Sequence, residues 1–238
     1  MDIIFRYALL LLSFTLFLGA CSREGDDNKS KSQANSTPAP VVEMVKVDPA
    51  LAAEGKKLYN QNCSVCHQAD AIGKPGFAPS LTNQEFLRAA SDTFLMGTVR
   101  DGRQGTAMPP FAHLGRKDIE AIVAFLRSHA TQPNISHQVD AQPHSDGDPK
   151  LGKVWFDEIC VTCHGPGGDG YEAGGTGTAI GKVGFLSKAS DGFIRETIKY
   201  GRSNTRMVGF SGPSGLAALS DKEIDDIIAY LRTVPSKS

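Results

Sequence analysis

The pentapeptide Cys63-Ser64-Val65-Cys66-His67 has a counterpart in Cys160-Val161-Thr162-Cys163-His164, and no other feature restricts this chain's fold so strongly. Two cysteines with two residues between them stand about one helical turn apart. At that separation both thiols can add across the two vinyl groups of one porphyrin, and the histidine that follows falls beneath the iron as proximal ligand. C-x-x-C-H is accordingly the attachment signature of c-type haem, and its doubling implies two haem c groups. A single C-x-x-C also suits a thioredoxin-like redox site or half of a zinc site. Two complete matches, each with a methionine downstream and similar flanks, speak against those readings.

A length of 238 residues is too great for one small haem domain and suits two. The formal net charge is −1, with no basic stripe, which excludes nucleic acid as a partner. Four of the five cysteines lie in the two motifs, so none is left for a disulfide, and Cys21 stands alone near the N-terminus.

Residues 1–20 read as a targeting segment. Arg6 supplies a weakly positive start, and the apolar run Tyr7 to Leu18 is short for a bilayer span. Leu18-Gly19-Ala20-Cys21 resembles a bacterial lipobox. That resemblance implies cleavage before Cys21 and lipid on its thiol and new amine. A plain secretory signal or an uncleaved anchor are the alternatives. Export agrees with c-type haem, which bacteria attach outside the cytoplasm, so the expected location is the periplasmic side of a bacterial membrane. Ser22, where an Asp would argue for the inner membrane, favours the outer one. Residues 21–47 are rich in Ser, Asn, Asp, Lys and Pro and read as a flexible tether.

A repeat then begins. Gly55, Tyr59 and Cys63 recur as Gly152, Phe156 and Cys160, at an offset of 97. Ser91-Asp92, Phe94, Gly102-Arg103 and Met108 recur as Ser190-Asp191, Phe193, Gly201-Arg202 and Met207, at 99. Ile119, Ile122, Val123 and Leu126-Arg127 recur as Ile224, Ile227, Ile228 and Leu231-Arg232, at 105. The expected domains are residues 48–130 and 148–238, with 131–147 as a linker draped between them. Asp48-Pro49 and Asp148-Pro149 each offer an N-cap with proline at the first helical position. Ser190 caps a helix ending at Gly201, and Ser220-Asp221-Lys222-Glu223 is a capping box. The isoleucine-rich stripes follow i, i+3, i+4, i+7. All of this predicts an all-α fold. His137 and His144 in the linker read as solvent-exposed, with a ligand role as the alternative.

Both copies resemble class I cytochrome c domains. The resemblance rests on Gly55, Tyr59, Met108 and Phe125-Leu126 in the first copy, and on Gly152, Phe156, Met207 and Tyr230-Leu231 in the second, besides the two haem motifs. It implies covalent haem on Cys63 and Cys66 and on Cys160 and Cys163. It also implies His67 and His164 as proximal ligands and Met108 and Met207 as distal ones. Met96 is the alternative in the first copy. Met108-Pro109-Pro110-Phe111 resembles the family's stiff Met-Pro loop, whereas Met207-Val208-Gly209-Phe210 lacks the proline. Ala78-Pro79-Ser80-Leu81 resembles Gly-Pro-x-Leu, whose proline carbonyl orients the proximal histidine. The second copy has no proline there. It has nine glycines between Gly165 and Gly184, which read as a flexible loop wrapping a haem edge. A phosphate-binding loop is refused, because Thr176 and Val183 stand where Gly and Ser or Thr are required.

Haems held by His and Met on opposite faces carry electrons and leave no open site. The chain is therefore expected to be an electron carrier or electron-transfer subunit, not an enzyme, with other redox proteins as partners and a membrane reached through lipid. A dihaem enzyme of peroxidase or thiosulfate-oxidising type, and a gas or redox sensor, are the alternatives. Two such domains behind an anchor resemble the dihaem subunit of haem–copper oxidases, where the anchor is a transmembrane helix. Neither copy carries a strong steering charge: residues 51–128 hold nine basic and seven acidic side chains, residues 150–238 eleven and ten.

Overall fold

The computed structural model describes residues 44–213 and 215–234. The targeting segment, Cys21 and nearly all of the tether lie outside these. The described residues form helices and loops with two isolated bridges and no strand, the all-α architecture expected. None of the described helices is long and apolar enough to cross a membrane.

Each copy is built on a crossing of its first and last helices. In the first copy α1 (Pro49–Asn62) opens on Asp48, whose carboxylate accepts from the Ala50 N–H at 2.8 Å. It crosses α5 (Gly115–Arg127) at Gly55, where a Cβ would lie 1.8 Å from the Ala121 carbonyl oxygen. In the second copy α7 (Pro149–Trp155) begins at Asp148 and crosses α11 (Asp221–Thr233) at Gly152. There a Cβ would lie 1.8 Å from the Asp226 oxygen. Backbones touch at both crossings, so only glycine fits. Beside each crossing an aromatic pair seals the core: Tyr59 and Phe125 at 5.0 Å, Phe156 and Tyr230 at 5.3 Å. The hydroxyl has changed helix between copies. Tyr59 uses it to donate to the Gln68 carbonyl at 2.7 Å, just past the first motif.

The motifs occupy single helical turns, α2 (Ser64–His67) and α8 (Val161–His164). A π-helical turn, Phe156–Cys160, leads into the second of these. Two further helices complete each copy: α3 (Gln84–Ala89) and α4 (Asp92–Asp101), then α9 (Val183–Leu186) and α10 (Asp191–Tyr200). Ser91 and Ser190 cap α4 and α10 by accepting from the Phe94 and Phe193 N–H groups, and both helices stop at glycines of positive φ, Gly102 and Gly201. The capping box at Ser220 and Glu223 is present in full.

The recurring arginines tie these helices to the last one. Arg127 donates to Asp92 at 2.8 Å and to the Leu87 and Ala90 carbonyls at 2.5 and 2.6 Å. Arg232 repeats this on Asp191, Leu186 and Ala189 at 2.7, 2.5 and 2.6 Å. Each guanidinium thus caps carbonyls at a helix C-terminus, where a cation is favoured.

The segment between the copies is more than a draped linker. It contains α6 (Ser136–Asp140), whose Val139 is 1% exposed and belongs to the core. Asn134 donates to the Leu87 and Ala90 carbonyls, and the Val139 carbonyl abuts Gly192. Ile135 and Val139, one turn apart in a polar stretch, provide the apolar anchor. His137 and His144 are exposed, the latter 3.3 Å from the Asp191 carboxylate. One hydrophobic cluster runs through both copies, joining Phe94 and Leu95 to Phe185, Phe193 and Ile194.

Gly55→Ala and Gly152→Ala should each cost more than ~3 kcal/mol, because a methyl group must displace main chain. Gly97→Ala, whose Cβ would meet nothing nearer than 3.7 Å, should instead be neutral or stabilise by up to ~1 kcal/mol. Chemical denaturation of the three variants checks this ordering.

Candidate functional site

His67 closes the turn that Cys63 opens: its N–H bonds the Cys63 carbonyl at 3.0 Å. Its ring is buried, and Nδ1 lies 3.0 Å from the Pro79 carbonyl oxygen. A carbonyl can only accept, so Nδ1 carries the proton and donates, and the Nε2 lone pair is free for a metal. Burial lowers the proton affinity of His67, the Pro79 bond opposes this, and the nearby Arg103 charge lowers it further. A neutral imidazole results, the form that ligates.

The second copy reaches the same result without a proline. His164 Nδ1 lies 2.8 Å from the Thr178 carbonyl oxygen. The acceptor is main chain, so the residue type is immaterial, provided the backbone passes there. Glycine lets it do so. The Gly177 N–H donates to the Cys163 carbonyl at 2.7 Å, and a Cβ on Gly177 would lie 2.8 Å from both Cε1 and Nδ1 of His164. Gly168 accepts from Ile180 and Gly181 at 2.8 and 3.0 Å, and a Cβ on Gly170 would strike Ala179. The glycine-rich stretch is therefore a bonded, close-packed wall and not a flexible loop. Burial lowers the proton affinity of His164 as well.

The thiols speak against the thioredoxin-like alternative. Burial, with Cys66 alongside, pushes Cys63 up to about 11, and burial, with Cys163 alongside, pushes Cys160 up to about 12. A reactive redox cysteine needs the opposite shift. Zinc would need a fuller ligand set, and the described residues bring no three His, Cys, Asp or Glu together for a metal ion.

The methionine loops are near-copies in their hydrogen bonds. Arg103 N–H donates to the Met108 carbonyl at 3.1 Å, and Arg202 N–H to the Met207 carbonyl at 2.6 Å. Thr106 Oγ1 donates to the Arg103 carbonyl and accepts from Met108 N–H, at 2.7 and 3.2 Å. Thr205 does the same for Arg202 and Met207 at 2.8 and 3.0 Å. The Phe111 and Phe210 N–H groups pin the loop ends to Val99 and Ile198. Hence the Met207 loop keeps the same bonds without a following proline. The two threonines went unremarked in the sequence, although they recur at the same 99-residue offset as the methionines. Met108 and Met207 are both partly exposed, and Met96 lies within α4 against the shared core.

Paired thiols on one helical turn and a histidine with Nε2 left free by its carbonyl bond fit covalent haem in both copies. The chain is a tandem c-type cytochrome: two all-α cytochrome c domains with two haem c groups. More particularly, residues 50–126 match the family of subunit III of cbb3-type cytochrome c oxidase, and residues 149–235 match cytochrome c. The chain is similar to the cbb3-type oxidase subunit CcoP of Rubrivivax gelatinosus, 29% identical over 82% of this chain and 59% of that protein. It is similar to the cbb3-type subunit FixP of Bradyrhizobium diazoefficiens, 30% identical over 74% and 62%. It is also similar to the cytochrome c subunit of the cytochrome bc1 complex of Mycobacterium leprae, 27% identical over 83% and 67%. It spans about three fifths of the length of the two cbb3 relatives. A chain of the reducing HAO-like protein complex of Kuenenia stuttgartiensis shares the fold, with a TM-score of 0.50 and 20% identity over 80% of this chain and 100% of that one.

Pro79→Ala should leave the first haem's absorption spectrum near wild type, since the carbonyl remains. Gly177→Ala should disturb the second haem alone, because the methyl group meets the ring of His164. Spectra of the two variants, compared haem by haem, check the contrast.

Proposed function

We propose that this chain relays electrons between redox proteins at the periplasmic side of a bacterial membrane and turns over no small substrate. When bound, each haem supplies one-electron iron chemistry. Cys63 and Cys66, and Cys160 and Cys163, hold the two groups through thioethers. His67 and Met108 in the first copy, and His164 and Met207 in the second, would supply the protein ligands of each iron. Pro79 and Thr178 orient the imidazoles through their carbonyls, and Thr106 and Thr205 brace the methionine loops.

The observation that carries this reading is the repetition of one ligand scaffold in both copies. A carbonyl on Nδ1 sets each histidine to ligate, and a threonine-braced loop presents each methionine. With a histidine and a methionine available to each iron, the chain's own residues would leave neither open for a substrate. Relatives named as subunits of cbb3-type oxidases and of a cytochrome bc1 complex support a place as an electron-transfer subunit or carrier serving such complexes. Leu18-Gly19-Ala20-Cys21 supports attachment through lipid on Cys21, with the outer membrane favoured by Ser22.

Met108→Ala and Met207→Ala should each open one iron, lower its potential, and allow carbon monoxide to bind on reduction. The wild type should bind it poorly at both. A high-spin haem in the native protein, with peroxidase or thiosulfate turnover, would replace the carrier reading with an enzyme. Separately, Cys21→Ser should abolish lipid labelling and either release red, soluble protein or stall processing. An unmodified mature N-terminus elsewhere would refute the anchor.

A further inference from the structure

The two copies meet through equivalent residues. Phe94 and Phe193 stack at the centre, with centroids 4.9 Å apart and planes at 30°. Phe185 stands edge-on to Phe94 at 6.3 Å, and Phe86 edge-on to Phe193 at 6.2 Å. Arg103 of the first copy lies over Phe185 of the second at 4.8 Å, and Arg202 of the second over Phe86 of the first at 5.2 Å. Such reciprocity is the mark of an approximate two-fold axis between copies. Further bonds cross on both sides. Ser203 donates to Glu85 through its N–H and hydroxyl at 3.0 and 2.9 Å, and Gly184 N–H donates to the Gln104 carbonyl at 3.3 Å.

The symmetry fails at the arginine tips. Arg202 Nη2 turns back to Thr197 Oγ1 in its own copy, at 2.9 Å. Arg103 Nη2 instead crosses to the Ala179 carbonyl, at 2.6 Å. Ala179 directly follows Thr178, whose carbonyl holds His164. At its own end Arg103 belongs to the Met108 loop, where its N–H donates to the Met108 carbonyl at 3.1 Å. The first-copy arginine therefore joins the Met108 loop to the segment beside His164, whereas its second-copy counterpart bonds locally. Burial pushes Arg103 down to about 10, still charged at neutral pH, and it forms no ion pair among the described residues.

We infer that Arg103 is a positioning residue that couples the two redox centres. It carries its charge in the loop that holds Met108 and, through the Ala179 carbonyl, fixes the segment that orients His164, so both reduction potentials depend on this one side chain. The inference rests on the reading of each motif as a His/Met-ligated haem. A fixed positive charge disfavours the oxidised iron, which carries one more positive charge than the reduced one, and the effect is stronger in a dry interface than in water. Loss of the charge should therefore lower the first potential. Loss of the hydrogen bond should loosen the hold on His164 and move the second by a different route.

The test is a spectropotentiometric titration of the full two-haem protein and of Arg103→Gln, Arg103→Lys and Arg202→Gln. The two steps are assigned with a Cys160→Ala, Cys163→Ala variant. Haem content by mass and helix content by circular dichroism come first. The expected pattern is that Arg103→Gln lowers the first potential and shifts the second. Arg103→Lys, which keeps the charge without the fork that reaches Ala179, restores the first and leaves the second shifted. Arg202→Gln leaves the first unchanged. A second potential that stays at its wild-type value in both Arg103 variants would overturn the coupling. So would the same double shift in Arg202→Gln, which would make it a property of the interface at large. Where the glutamine variant fails to hold two haems, the lysine variant decides alone. A wild type without two low-spin haems would instead count against the underlying ligand reading.

Discussion

Each half of this protein depends on a histidine whose Nδ1–H donates a hydrogen bond to a main-chain carbonyl. One such bond contributes only about 1 kcal/mol to stability. Its importance lies in direction: it selects the tautomer, stops the ring from turning and leaves Nε2 as the free donor. In the first copy the acceptor belongs to Pro79, in the second to Thr178. Everything that brings those carbonyls to the rings is therefore part of the redox site, including glycines that contribute no functional group of their own.

The helix crossings are the frame for that arrangement. Because Gly55 and Gly152 let the backbones touch, the motif turn that follows each first helix is carried against the last helix with little freedom. Arg127 and Arg232 then bind the far end of the last helix to the carbonyls of α3 and α9, within a few residues of the caps that start α4 and α10. The methionine loops leave directly from those helices. A chain of short-range constraints thus runs from the crossing, through the arginine clasp, to the loop that carries the methionine.

The copies have kept the constraints and varied the means. Threonine braces both methionine loops and proline stiffens only the first, and the tyrosine of the sealing pair sits on α1 in one copy and on α11 in the other. The interface keeps its pseudo-symmetry through four phenylalanines and lets it go at Arg103 and Arg202. Two equivalent haem environments would have equal potentials and no preferred direction for an electron. The departures from symmetry distinguish the two centres.

Much was legible in the order of residues because much of it is local. The C-x-x-C-H spacing is dictated by a covalent reaction on one helical turn. The caps at Asp48, Ser190 and Ser220 act within three residues. The all-α architecture and the duplication follow from periodicity and offsets that need no third dimension. The glycine-rich wall looks flexible in the sequence, because glycine signals freedom in an unfolded strand and close approach in a packed one, and only neighbours tell them apart. Thr178 could not be singled out, since every residue has a carbonyl and its selection is a matter of where the backbone passes. The docking of Val139, the phenylalanine cluster and the reach of Arg103 to Ala179 also lay beyond the sequence. Each joins residues far apart along the chain, and such contacts come into being only when the two copies fold against each other.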